Sequence, residues 1–240
     1  MSSKVVVTGA GRGLGLSLAT RFAQLGHRVG ATVRSPDAAD ELRSVAAQFP
    51  GAIEIAGLDL ADTDSIASAV TELAGRLGGI DVVINSAGVN SKSLPGASPT
   101  ISIETMEADP MVEMMRINTA APLLVVRAAL PRLRRSAHPR VVNISSWLGS
   151  IDGAGSGNYA YAASKAALNM STRLLANELQ ADGIIAVAVN PGWIRTSMGG
   201  SRAEMSAEQS AAGIASLTES LTQQEHSGRF LQWDGTEHPW

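Results

Sequence analysis

Short β-branched runs alternate with longer helix-period stretches along the whole chain, and that alternation restricts the fold more than any single motif does. Residues 5–7, 28–33, 53–58, 81–84, 141–144 and 185–189 are short, nearly continuous apolar runs, the pattern of strands covered on both faces. Between them, residues 14–25, 36–48, 62–77, 104–135 and 159–180 read as helices. Residues 230–233 form a candidate last strand, closed by the turn signal Asp234-Gly235. Repeated strand–helix units predict an α/β fold, a doubly wound parallel sheet with helices on both faces. A length of 240 residues and a hydrophobic share of 45% suit one domain spanning residues 1–240. In this fold class ligands bind beyond the carboxyl ends of the strands. The loops at 91–100 and 149–157 and a lid-like polar segment at 197–209, which carries Met198 and Met205, all follow strands and are expected to surround one site.

Composition narrows the chemistry. A net charge of −3 offers no basic surplus for nucleic acid, and no partner of that kind is expected. The absence of cysteine removes disulfides, thiol nucleophiles and thiolate metal sites. The four histidines, His27, His138, His226 and His238, lie far apart without metal-ligand spacing, so no metal is expected. No apolar run reaches bilayer length, and the opening residues enter a strand without the layout of a signal peptide. A cytoplasmic protein without membrane association is the expectation.

The first strand runs into Thr8-Gly9-Ala10-Gly11-Arg12-Gly13-Leu14-Gly15 and then a helix. A helix start presents unpaired N–H groups and a positive dipole end, which suit a pyrophosphate, and glycines allow the close approach. The spacing is TGxxxGxG rather than GxGxxG. At the end of the second strand stands Arg34, nineteen residues after Gly15, where an acidic residue would hold the ribose hydroxyls of NAD(H). Arg12 and Arg34 read either as solvated surface cations or as a clamp for a 2′-phosphate; the second reading favours NADP(H) over NAD(H). Asp37, three residues on, pulls the other way.

Tyr161 and Lys165 are four apart at the start of a predicted helix and share a face. The strand at 141–144 delivers Ser145 and Ser146 to the same crevice. Tyr159 is the alternative tyrosine, but only Tyr161 has the lysine spacing. Trp147 and Trp193 flank these segments and either wall a substrate pocket or pack in the core.

Glycine turn, serine after a strand and YxxxK, in that order, resemble the short-chain dehydrogenase/reductase family over nearly the full chain. The matching pieces are TGAGRGLG, Asp59-Leu60, Asn85-Ser86-Ala87-Gly88, Asn118, Ser146, Tyr161 with Lys165, and Pro191-Gly192. NISSWLGSI, YAYAASKAALN, NPGWIRTSMGG and the ending GRFLQWDGTEHPW are similar to the branch of C-factor and Sniffer-type carbonyl reductases. Ser86 departs from the family's second Asn in NNAG. The resemblance implies a Rossmann-type fold and a catalytic tetrad of Asn118, Ser146, Tyr161 and Lys165, with Ser146 preferred to Ser145. It implies cofactor contacts from Gly9, Arg12, Gly13, Leu14, Gly15, Arg34, Asp59, Leu60, Asn85, Ala87, Gly88, Tyr161, Lys165, Pro191, Gly192, Ile194 and Thr196. Adenine would lie at Asp59, and nicotinamide at Ile194 and Thr196.

The implied reaction transfers hydride between nicotinamide and a carbonyl or secondary alcohol of a small molecule. Tyr161 supplies the proton, Ser146 polarises the carbonyl, Lys165 holds the nicotinamide ribose, and Asn118 holds a water linking Lys165 to solvent. A free tyrosine, with a pKa of about 10, is ionised to about one part in a thousand at neutral pH. A neighbouring Lys165 ammonium is therefore expected to help form the phenolate that alcohol oxidation needs. A dinucleotide-binding signalling protein of C-factor type, with little turnover, is the alternative. Finally, the helix at 159–180 turns Ala163, Ala166, Met170, Leu174 and Asn177 away from the sheet with almost no charge, and residues 111–126 are similarly uncharged. This predicts a homodimer or homotetramer paired through these helices.

Overall fold

The computed structural model describes residues 2–94 and 102–240. Among these, seven strands form one parallel sheet: Lys4–Val7 (β1), Arg28–Val33 (β2), Ile53–Gly57 (β3), Val82–Asn85 (β4), Arg140–Ile144 (β5), Ile185–Asn190 (β6) and Phe230–Gln232 (β7). Their spatial order is β3-β2-β1-β4-β5-β6-β7. The order reverses between β1 and β4, and that switch opens a crevice beyond their carboxyl ends. The doubly wound Rossmann-type sheet expected from the alternation is the fold.

Helices Gly13–Gln24 (α1), Asp40–Gln48 (α2), Thr63–Leu77 (α3), Ala108–Met115 (α4), Ala121–Leu133 (α5), Tyr159–Glu178 (α6), Ala207–Ser220 (α7) and the short Gln223–His226 (α8) complete it. Side chains of a strand alternate faces, and here both faces are apolar. Val5 and Val7 join a core shared with Leu18 and Phe22 of α1 and Ile214 of α7, whereas Val6 joins Leu73 of α3 and Val125 of α5. The same division separates Val82 and Ile84 from Val83, and Val142 and Ile144 from Val141. Two cores, one on each face, hold the strand ends in register.

Three sequence expectations change in detail. The helix expected over 104–135 is interrupted. It begins as a 3-10 turn at Ile103–Thr105, restarts as α4, and passes into α5 through a π-helical turn at Arg116–Ala120. The stretch at 36–48 splits into a 3-10 turn, Pro36–Ala38, and α2. The polar segment at 197–209 is fastened rather than lid-like. Met205 pairs with Ile194, Ala203 is buried, and residues 207–209 are the first turn of α7, closed by a reciprocal Ser206–Gln209 capping box. Of the loop expected at 91–100, residues 95–100 lie outside the described residues. No helix among the described residues is long and apolar enough to cross a membrane.

Candidate active site

Helix α1 begins without the side-chain cap that α3 and α7 have. Asp62 accepts from the amides of Asp64 and Ser65 at the start of α3, and Ser206 caps α7. At α1 the cap position is Arg12, which provides no side-chain acceptor, and the first turn has no acidic residue. Its leading amides are left to an outside anion. The turn leading there is tightly built. Gly9 has φ +70° and stands against Ala87, where a methyl group would approach the Ala87 Cα to 2.8 Å; one on Gly15 would collide with the Gly9 carbonyl oxygen. The Thr8 hydroxyl accepts from the amides of Ser86 and Ala87, each at 3.1 Å, tying the β1 turn to the loop after β4.

Arg12 and Arg34 are both exposed, and neither side chain has an ion pair or hydrogen bond among the described residues. Asp37 lies exposed on the 3-10 turn beyond β2. At the end of β3, the Asp59 carboxylate accepts from the Ala61 amide at 2.9 Å and Leu60 is half-buried. After β6, Pro191 accepts from the Ser210 hydroxyl, Ile194 is buried, and the Thr196 side chain borders Gly13 in the turn. Asn85 is different. Its side chain turns inward and donates to the Asn143 Oδ1 at 2.8 Å and to the Pro122 carbonyl at 3.3 Å. Only its main chain is at the crevice, because β4 alternates and this residue falls on the α5 side.

The catalytic candidates converge from three elements. Strand β5 ends at Ser145 and Ser146, whose hydroxyls do different things. Ser145 is buried and donates to the Asn169 Oδ1 on α6 at 2.6 Å. Ser146 caps the 3-10 turn Trp147–Gly149 by accepting from the Leu148 amide, and its hydroxyl lies close enough to the Tyr161 phenol to lower that group's pKa. On α6, Tyr161 and Lys165 lie one turn apart, with the Lys165 Nζ 5.8 Å from the ring centre. Lys165 is 4% exposed and donates to the Ile144 carbonyl at 2.8 Å. Gly88 borders both Lys165 and Asn118; a methyl there would lie 3.5 Å from Nζ.

Asn118 sits in the π-helical turn, fully buried, exchanging both hydrogen bonds with the main chain of Val89 at 2.8 Å and donating to the Ser164 hydroxyl at 3.0 Å. A π turn shifts the backbone pairing by one residue and frees a carbonyl. Trp147 and Trp193 are each 49% exposed, and the Trp193 indole donates to the Gly199 carbonyl.

Burial sets the protonation states. Desolvation pushes the Tyr161 phenol up to about 12, opposed by the hydrogen bond from Ser146, and holds the Lys165 ammonium down to about 8. Burial dominates at Tyr161 and no lowering by Lys165 accompanies it, so at neutral pH the phenol keeps its proton.

Several residues of this arrangement lie inside the matched segments without a role that the sequence assigns. Ser164 orients Asn118, Asn169 holds Ser145, and the Asn190 Oδ1 accepts from the amides of Trp147 and Gly192, joining the loops after β5 and β6. The signal for Asn190 was its place at a strand end before Pro191-Gly192; Ser164 and Asn169 lie on the Lys165 face of α6 and were visible only by helical spacing.

Comparison with known proteins shows the family and the fold. Residues 3–207 match the family described as short chain dehydrogenase. The C-signal of Myxococcus xanthus is 39% identical over 167 residues, which cover 68% of this chain and 94% of that protein. The carbonyl reductase Sniffer of D. melanogaster superposes with a TM-score of 0.91 at 30% identity over the whole of both chains. An NADPH-bound carbonyl reductase from chicken fatty liver gives 0.90 at 33% identity, covering 100% of this chain and 99% of that one. On sequence and architecture alike, the chain belongs to the short chain dehydrogenase family of oxidoreductases.

Proposed function

We propose that this protein is an NADP(H)-dependent carbonyl reductase, able to run in reverse as an alcohol dehydrogenase. The observation that carries the reading is the convergence of Ser146, Tyr161 and buried Lys165, from β5 and α6, in a fold whose first helix starts uncapped. The residues present fit the dinucleotide. The free amides of α1 suit its pyrophosphate, and two unpaired guanidiniums, Arg12 and Arg34, suit the 2′-phosphate of NADP(H). Gly9, Gly13, Leu14, Gly15, Ala87, Gly88, Pro191, Gly192, Ile194 and Thr196 would line it, with Asp59 and Leu60 at the adenine end and Asn85 contributing main chain alone.

When bound, the nicotinamide supplies the hydride. The Ser146 hydroxyl donates to the carbonyl oxygen and stabilises the charge that develops there. Tyr161 then gives its phenolic proton to that oxygen. Lys165, anchored on Ile144, keeps its ammonium beside the phenol and has further donors for the nicotinamide ribose. Proton return to Tyr161 would come from solvent through a water held at Asn118 and past Lys165. The raised pKa keeps the phenol in the protonated form that carbonyl reduction uses. Trp147 and Trp193 would border a small-molecule substrate.

The likeness to the C-signal favours a second reading, a dinucleotide-binding signalling protein with little turnover. NADPH consumption across a panel of aldehydes and ketones, measured beside NADPH binding, separates the two. Turnover of any carbonyl supports the reductase; binding without turnover supports the signalling protein.

A further inference from the structure

The segment after β7 is held in place by contacts that the proposed reaction does not use. Beyond the turn at Asp234-Gly235 the chain doubles back along β7: the Gln232 amide donates to the Thr236 carbonyl at 2.7 Å and the His238 amide to that of Phe230 at 2.8 Å. Buried Phe230 then receives two rings, His238 at 4.5 Å and Trp240 at 5.9 Å between centres. The Trp240 ring also meets the Arg173 guanidinium of α6 at 4.9 Å. Its main-chain oxygen accepts from the Asp152 amide at 2.8 Å and from the Ser150 hydroxyl at 3.1 Å.

Ser150 and Asp152 belong to the loop at 147–158, the connection from Ser146 to the helix that carries Tyr161 and Lys165. The inner side of that loop is already tied to α6. Asn169 donates to the Gly149 carbonyl at 3.1 Å, and Gly149 packs so closely on the Lys165 main chain that a methyl there would come within 2.9 Å of it. The outer side is tied through Trp240, and Ser150 passes the restraint on by accepting from the Gly153 amide at 3.0 Å. Beyond this point Ile151, an apolar side chain on the same loop, is 75% exposed.

We propose that Trp240 is a positioning residue: seated by Phe230 and Arg173, it latches the 147–158 loop at Ser150 and Asp152 and so fixes the substrate-side wall relative to Ser146 and Tyr161. The inference rests on the reductase reading of that site. Two side chains distant in sequence, Phe230 and Arg173, hold a ring whose main-chain oxygen takes both bonds from the loop.

The test uses the full chain with Trp240→Ala, Trp240→Phe and Arg173→Ala, followed by hydrogen exchange and steady-state kinetics on whichever carbonyl the wild type reduces. Loss of one amide hydrogen bond should speed exchange at Asp152 by about tenfold in Trp240→Ala. Exchange in β5 and the core of α6 should stay as in the wild type. KM for the carbonyl should rise, with kcat and NADPH affinity little changed, and Trp240→Phe should restore most of both effects. Arg173→Ala leaves Trp240 in place and should give the same local change in weaker form, which keeps the question open to decision if Trp240→Ala loosens the whole fold. Unchanged exchange at Asp152 in both alanine variants overturns the latch. Faster exchange there with an unchanged KM overturns the positioning role. Failure of the wild type to reduce any carbonyl removes the reductase reading and with it the positioning role, while the exchange at Asp152 still decides the latch.

Discussion

Lys165 donates from Nζ to the Ile144 carbonyl oxygen at 2.8 Å, a charged group held in the interior by one main-chain acceptor. Desolvation lowers its pKa from 10.5 to about 8. Between those values the unfolded chain binds a proton that the native chain lacks, so this residue's contribution to stability rises with pH across that window. The full span corresponds to about 3 kcal/mol. Urea unfolding of the wild type and Lys165→Met at several pH values should therefore show the wild type gaining on the variant from about pH 8 upwards. A difference independent of pH would mean that the ammonium is not desolvated.

Tyr161→Phe keeps the ring and removes the phenolic oxygen. Carbonyl reduction should fall by about a hundredfold or more, the scale of general acid catalysis. NADPH affinity, read by fluorescence titration, should hardly move. Near-normal turnover would assign the proton to another group, with Tyr159, 40% exposed at the same helix start, the next to test.

Arg34 has no partner among the described residues, so its guanidinium is free for a phosphate. NADPH should bind more tightly than NADH, and Arg34→Ala should narrow the gap by about ten- to a hundredfold, the worth of a charge-assisted contact. Equal dissociation constants for the two cofactors in the wild type would refute the role given to both arginines.

On α6, Leu168 and Thr172 are buried while Met170 and Leu174 are 61% and 58% exposed. Val112 of α4 is 65% exposed. We propose that these apolar faces pair between two copies of the chain. Met170→Arg should shift the protein towards monomer, as followed by light scattering on a size-exclusion column. A wild-type mass near 24.8 kDa at micromolar concentration would rule the pairing out.

Strand positions were legible because each strand is buried on both faces, and a run such as Val5-Val6-Val7 fits little else. The glycine turn and the Tyr161–Lys165 spacing were legible because they are local. What was not legible depends on other parts of the chain. The π turn that carries Asn118 is set by pairing with Val89 and Ser164, and nothing within 116–120 specifies it. Helix α7 was hidden by its small and polar residues, although Ser206 and Gln209 carried the capping-box spacing. The inward turn of Asn85 follows from the register of β4 on β5, which places it opposite Asn143. The rise in the Tyr161 pKa needed the three-dimensional burial that no spacing reports.

The doubling back of the chain along β7 also bears on self-association. A parallel sheet ending in a bare edge strand displays a row of free N–H and C=O groups, which can recruit the edge of another molecule and seed aggregation. Here residues 236–238 pair with that edge from the same chain, antiparallel, with Leu231 opposite Glu237 and Arg229 joined to Glu237 at 2.9 Å. The edge strand β7 is thus only three residues long and is covered by a single antiparallel bridge, with an ion pair beside it. Lateral growth of the sheet into a second copy is therefore hindered on this side, which leaves β3 as the other edge of the sheet.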